Sequence, residues 1–209
     1  MISNEAILEA LNFRHACKIF DESKKISDEN MDILLQSARL SPSSFGMEHW
    51  RLVMIEDRDL REKLRLSCWN QPQITTASCV MVILAKTDDV SNPHYIRKMF
   101  ERKNLDADAI ELYMEKYSQF IEQKISSNSL FEWSARQCYI LASQMALSGA
   151  MMGIDSCYIE GFVKDEVEEM LEIDTEKEQV ALIMTFGYRL NPQPEKKYRL
   201  DMSEIVEVR

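Results

Sequence analysis

The sequence predicts a domain that mixes helices with a small number of strands. Three observations carry that expectation. Cys79 to Ala85 is a continuous apolar run rich in Val and Ile, the pattern of a strand buried on both faces. Trp133 to Met152 is nearly apolar and rich in small residues, and it ends at Gly153, a natural C-cap. Amphipathic segments with helix caps and Pro or Gly stops fill the remainder, without internal repeats or low-complexity stretches.

The elements follow in order. Ser3 or Asn4 caps a first helix carrying Ile7, Leu8 and Leu11, which ends near Arg14. Ser27 caps a second, with Asp28 and Glu29 at its positive end and Met31, Leu34, Leu35 and Ala38 as its buried stripe. It stops at Ser41, before Pro42. Trp50 to Ile55 reads as a strand, and Asp57 opens a helix over Leu60, Leu64 and Cys68. Asn70 to Gln73 is a polar break before a short helix and the Cys79 to Ala85 strand.

Residues 87–130 form a polar excursion, helical over Tyr95 to Lys103 and Ala107 to Lys124, with Tyr113, Tyr117 and Phe120 as an aromatic stripe. Such a stripe is more often packing than a cofactor box. After the apolar helix come strands at Ser156 to Ile159 and Gln179 to Phe186, separated by the turn Glu160-Gly161-Phe162 and an acidic helix from Lys164 to Leu171. The tail, 191–209, carries Pro192, Pro194, a basic cluster from Lys196 to Arg199, and Ile205 to Val208 with strand propensity. A terminal strand without a neighbour in sequence pairs elsewhere, and a second subunit is one such place.

Composition bounds the function. At 209 residues one domain is the default, and 45% hydrophobic with 29% charged residues is ordinary for a globular protein. A net charge of −10 argues against nucleic acid. Anion binding must then come from a few placed cations. The five cysteines are scattered, with no Cys-x-x-Cys pair, which fits reduced thiols in a cytoplasmic protein. His15, His49 and His94 show no metal-ligand spacing, so no metal is expected. Glu5 and Glu9 interrupt any secretory h-region, and the longest apolar run, Ala77 to Ala85, is too short to span a bilayer.

The chemistry-bearing residues sit at element ends. Arg14 and Lys18 are cations four residues apart, and an arginine fork suits bidentate capture of a phosphate or carboxylate. Alone, this stretch fits a solvated basic helix end better. Pro42-Ser43-Ser44-Phe45-Gly46 is either a helix terminator or a set of hydroxyl and backbone donors facing a ligand.

Taken together, Arg14-His15-x-x-Lys18-x-Phe20, Pro42-Ser43-Ser44 with Trp50 following, Ile159-Glu160-Gly161-Phe162 and Lys197-x-Arg199 resemble the FMN-dependent nitroreductase family. The closer likeness is to its oxygen-insensitive NAD(P)H nitroreductase branch, and it covers nearly the whole chain. The resemblance implies an α+β fold: a mixed, mainly antiparallel sheet wrapped by helices. It also implies an intertwined homodimer with C-terminal arm exchange, the apolar helix at the interface and FMN touched by both subunits.

By the same resemblance, Arg14, Lys197 and Arg199 would bind the FMN phosphate, with His15, Ala16 and Cys17 close by. Lys18 would reach the pyrimidine edge of the flavin, Asn70 its polar edge, and Gln73 would lie beside it. Pro42, Ser43 and Ser44 would come from the other subunit. Ile159, Glu160 and Gly161 would cover one face, with a backbone N–H to N5. Gln137 matches a glutamine of the core helix, and Phe45 and Phe120 would line the substrate pocket.

The implied activity is two-electron, ping-pong hydride transfer from NAD(P)H to a nitroaromatic, quinone or related acceptor. The flavin carries the hydride, so no side chain is expected to be catalytic. The departures from the family pattern are Ala16 for a serine, Gly46 for an asparagine, Glu48-His49 for Gln-Pro, and Gln73 for a second lysine by the flavin. The rival readings are a flavin carrier without turnover and a specialised reductase of the same fold, acting on an enone or a halogenated aromatic.

Overall fold

Caps predicted from the sequence start the first helices. In the computed structural model, which describes residues 2–193 and 196–209, α1 spans Asn4–Phe13, and Ser3 Oγ accepts from Ala6 N at 3.2 Å. α2 spans Asp28–Arg39, with Ser27 Oγ accepting from Asn30 N at 3.3 Å. β1 (Trp50–Ile55) is followed by α3 (Arg58–Ser67), capped by Asp57, whose carboxylate accepts from Leu60 N at 2.6 Å. A short α4 (Gln73–Thr76) then leads into β2 (Cys79–Lys86).

The excursion holds α5 (Asp88–Ser91), α6 (Pro93–Glu101) and α7 (Ala107–Ser126). α6 begins two residues before the expected Tyr95, because Asn92 caps it and Pro93 suits its first turn. α8 (Leu130–Met151), β3 (Asp155–Ile159), α9 (Lys164–Met170) and β4 (Glu178–Gly187) complete the core.

The sheet order is β1-β2-β4-β3, and every neighbouring pair is antiparallel. Among the described residues, the one parallel pairing is the isolated bridge Ala16–Ser156. β2 is buried almost throughout because both of its faces are covered. Cys79, Met81, Ile83 and Ala85 meet α2 and α8 through Leu34, Ala38, Leu141 and Met145. Val80, Val82 and Leu84 meet α3, α4 and α9 through Leu64, Ile74 and Val167. Each fully buried aliphatic side chain contributes roughly 1.5–3 kcal/mol. The α+β expectation is borne out.

A third cluster holds the excursion to the body, with Met47, Ile96, Phe100, Tyr117 and Trp133 at its centre. Tyr117 is fully buried and donates its hydroxyl to Val90 O at 2.7 Å, so this part of the aromatic stripe is packing.

Within the single chain, Ile205 to Val208 is not paired as a strand among the described residues. Met202–Ile205 makes a one-turn helix, α10, with Asp201 N donating to the Glu204 carboxylate at 3.2 Å. Val208 is 91% exposed. A strand needs a neighbour for its N–H and C=O groups, and this stretch has none among the described residues. Pro194 and Glu195 of the expected arm lie outside the described residues. Among the described residues, no helix is long and apolar enough to cross a membrane.

Candidate functional site

The segment after α1 docks along β3. Cys17 N donates to Ser156 O at 3.1 Å, beside the parallel Ala16–Ser156 bridge. Arg14 and Lys18 thereby flank the strand that leads to Glu160 and Gly161. Four residues of extended chain place the Cα atoms of Arg14 and Lys18 at most ~14 Å apart.

At the Arg14 end lies a cleft of about 370 Å³, lined by Arg14, His15, Ala16, Gln193, Lys197 and Arg199 among others. Lys197 Nζ donates to Leu11 O at 2.6 Å and to Arg14 O, which seats the tail against the end of α1. Burial lowers the Lys197 pKa, and Arg14 and then Arg199 add to this as like charges. Among the described residues, none of the three cations has a carboxylate partner. A cluster of this kind is short of negative charge.

At the other end, Lys18 Nζ and Gln73 Nε2 both approach the buried Cys157 Sγ, at 3.7 and 3.8 Å. Gln73 Nε2 also donates to Gln71 Oε1 at 2.8 Å, and Gln71 Nε2 donates to Gly161 O at 2.9 Å. Asn70 is exposed beside this network in a left-handed conformation, φ 56°, next to Trp69 at φ 53°. A Cβ on Gly161 would come within 2.6 Å of Trp69 Cε3, so the indole's close approach requires glycine there. Glu160 accepts a hydrogen bond from the Tyr139 hydroxyl on α8. The pair raises the Tyr139 pKa, although burial is the larger cause.

The remaining candidates form a second group. Ser44 N donates to Gln137 Oε1 at 2.9 Å, tying the Pro42-Ser43-Ser44 loop to α8. Lys103 Nζ donates to Phe45 O at 2.6 Å. The Phe45 and Phe120 rings lie 5.5 Å apart, and Phe45 stands edge-on to Tyr117 at 5.0 Å. Phe45, Gly46 and Glu48 all have positive φ, a strain of roughly 1–2 kcal/mol for each non-glycine. Among the described residues, no hydrogen bond joins this group to the Arg14–Lys18 group.

Cys17 is buried, and its pKa is pushed up to about 11, chiefly by burial. It packs in the core from within the Arg14–Lys18 segment, where burial disfavours the thiolate. The contacts of the candidate site that sequence reasoning missed run through Cys157, Gln71, Trp69 and Tyr139. Gln71 falls inside the polar break already singled out. The other contacts join positions far apart in sequence and leave no local signal.

The nitroreductase family profile matches residues 11–188. The chain is 37% identical to the Staphylococcus epidermidis "Putative NAD(P)H nitroreductase", over 97% of this chain and 96% of that one. The chain belongs to the nitroreductase family.

Two solved structures share the nitroreductase fold. One is a nitroreductase-like protein from Streptococcus mutans, with a TM-score of 0.86 at 18% identity, covering 99% of each chain. The other is the Exiguobacterium sibiricum "putative nitroreductase in complex with FMN", with a TM-score of 0.81 at 21% identity, covering 97% of each chain. In this nitroreductase chain the two residue groups described above lie on either side of α8, the helix that carries both Tyr139 and Gln137.

Proposed function

We propose that this chain binds FMN and uses NAD(P)H to reduce electron-poor acceptors such as nitroaromatics or quinones. The observation that carries the reading is the cleft where Arg14, Lys197 and Arg199 converge without a carboxylate among the described residues. It lies at one end of a segment whose other end holds Lys18 beside Gln73. A phosphate at the first pole and a polar ring edge at the second match FMN. Gln73 Oε1 is buried without a partner among the described residues, while Lys18 supplies donors. A flavin pyrimidine edge presents N–H and C=O groups to such a pair.

The chemistry that FMN supplies when bound is hydride transfer from NAD(P)H to the acceptor. The chain's own residues bind and orient. Arg14, Lys197 and Arg199 hold the phosphate by charge-assisted hydrogen bonds, with His15 and Ala16 lining the same cleft. Lys18, Asn70 and Gln73 face the pyrimidine side. The β3–β4 ladder ends at Ile159, and the Glu160–Gly161 turn that follows would present its backbone to the ring. Pro42, Ser43, Ser44 and Gln137, with Phe45 and Phe120 as an aromatic shelf, serve a neighbouring subunit's flavin.

This last assignment makes the working unit a homodimer, with residues 1–209 as one FMN-binding domain, 87–130 as its excursion and 191–209 as its arm. The exposed apolar residues Tyr139, Ile140 and Met151 on α8, with Leu8 and Leu11 on α1, support that reading. So does the outer edge of β1, which pairs only with β2 among the described residues.

The test is anaerobic titration of the purified yellow protein. NAD(P)H is expected to bleach the flavin band, and a nitroaromatic or quinone to restore it. A bound flavin that NAD(P)H does not bleach would make the chain a carrier without turnover. Light scattering at low micromolar concentration is expected to show a dimer, and a stable FMN-loaded monomer would overturn the shared site.

A further inference from the structure

Cys157 lies in β3, fully buried, at the point where the two groups assigned above to the pyrimidine side of FMN meet. Its S–H is used on a backbone carbonyl, Tyr158 O at 3.3 Å. Its sulfur then faces two donors, Lys18 Nζ at 3.7 Å and Gln73 Nε2 at 3.8 Å. Gln73 is 1% exposed, so its amide has little freedom to look elsewhere. The same amide passes through Gln71 to the carbonyl of Gly161. One polar chain therefore links the cation to the turn that faces the ring, and Cys157 is its anchor.

We propose that Cys157 is a positioning residue for flavin reduction: its neutral thiol aims Lys18 and Gln73 at the pyrimidine edge without cancelling the lysine's charge. The inference rests on the FMN reading above. Reduced flavin carries negative charge on that edge, and a cation held there favours the reduced form. An apolar side chain would leave Lys18 without its acceptor, and the long lysine stem would roam. A carboxylate would hold Lys18 but neutralise it. A thiol is a weak acceptor that orients the ammonium and leaves its field intact. Burial raises the Cys157 pKa despite the opposing pull of Lys18, which keeps the sulfur protonated.

The test compares holoenzyme potentials by spectroelectrochemical titration for the wild type, Cys157→Val, Cys157→Ser and Cys157→Asp. FMN affinity and melting temperature are measured alongside. Cys157→Val keeps the packing and removes the acceptor. It is expected to shift the two-electron equilibrium about tenfold toward oxidised flavin, a fall of about 30 mV. Cys157→Asp is expected to lower the potential at least as far. Cys157→Ser restores an acceptor and is expected to stay near the wild type. If Cys157→Val does not fold, Cys157→Ala removes the same acceptor without added bulk.

An FMN-loaded Val or Ala variant with an unchanged potential would overturn the proposal while leaving the FMN reading intact. A Ser variant falling as far as Val would assign the effect to packing and overturn it too. Failure of the wild type to bind FMN would overturn the functional reading itself.

Discussion

Arg189 meets the carboxylate of Asp155 along one edge of its guanidinium: Nε donates to Oδ2 at 3.0 Å, and Nη2 lies 2.6 Å from Oδ1 as an ion-pair contact. The Arg189 backbone N–H adds a second hydrogen bond to Oδ2 at 2.8 Å. The same guanidinium donates to Gln193 Oε1 at 2.7 Å and lies 4.1 Å from the centre of the Phe13 ring. One pair thus ties the start of β3 to the exit of β4 and, through Phe13, to the end of α1. Asp155 is 2% exposed, so the carboxylate side of the pair is buried.

Asp155→Ala is expected to destabilise the protein by about 3 kcal/mol. Breaking a buried pair costs about 3–5 kcal/mol, and Arg189, being partly exposed, can recover some hydration. Urea unfolding measures it; an unchanged midpoint would mean that the pair does not brace the β3–β4 end.

Arg199→Glu places a carboxylate among the proposed phosphate cations. Arg199 is exposed and its guanidinium donates only to Tyr198 O among the described residues, so the fold should survive. FMN should be lost on purification. Equilibrium dialysis against FMN measures this, and full occupancy in the variant would make the tail cluster a solvated face.

Gly161→Ala inserts a methyl where Trp69 Cε3 would be 2.6 Å and Gln71 Nε2 3.2 Å away. Trp69 is 70% exposed and can swing out at small cost in stability. The Gln71–Gly161 bond should be lost with it. The expected result is weaker FMN binding with a melting temperature close to the wild type. A large drop in melting temperature with unchanged FMN affinity would place the Trp69–Gly161 contact in the fold rather than the site.

His49 predicts a pH dependence. It is fully buried against Trp133, ring centroids 4.3 Å apart, with Nδ1 unpartnered among the described residues. Burial pushes its pKa down from 6.5 to about 4. Between those values the unfolded chain takes up a proton that the folded chain refuses. Stability is therefore full above pH 6.5 and falls as pH drops toward 4, by about 1.4 kcal/mol per pH unit. Burial, then Arg189, also lowers the His15 pKa, which acts in the same direction. Relative to His49→Gln, the wild type should lose about 2 kcal/mol between pH 7 and pH 5. Parallel urea curves for the two proteins at both pH values would contradict the buried neutral imidazole.

The strands, the main helices and the family were legible in the sequence because each is written in local or repeating signals. Cys79 to Ala85 is apolar without alternation, and the structure covers both faces of that strand. Ser3, Ser27 and Asp57 mark helix starts through side chains that reach only three residues. The candidate site was read from an ordered set of short motifs. Its inner contacts were not. Lys18 meets Cys157 across 139 positions, and Arg189 meets Asp155 across 34. No periodicity spans such distances, since they arise only when the segment after α1 lies down along β3.

The terminal strand shows the same limit from the other side. Ile205 to Val208 has strand composition, but a strand is a relation between two chains of backbone groups. Within this chain Val206 N–H donates to Met202 O, and no strand pairs with this stretch among the described residues. The sequence by itself determined which segments are helix or strand, where the cations fall, and the family. Tertiary structure decided which side chains face one another, because hydrogen bonds and burial act through space between segments that the sequence holds apart.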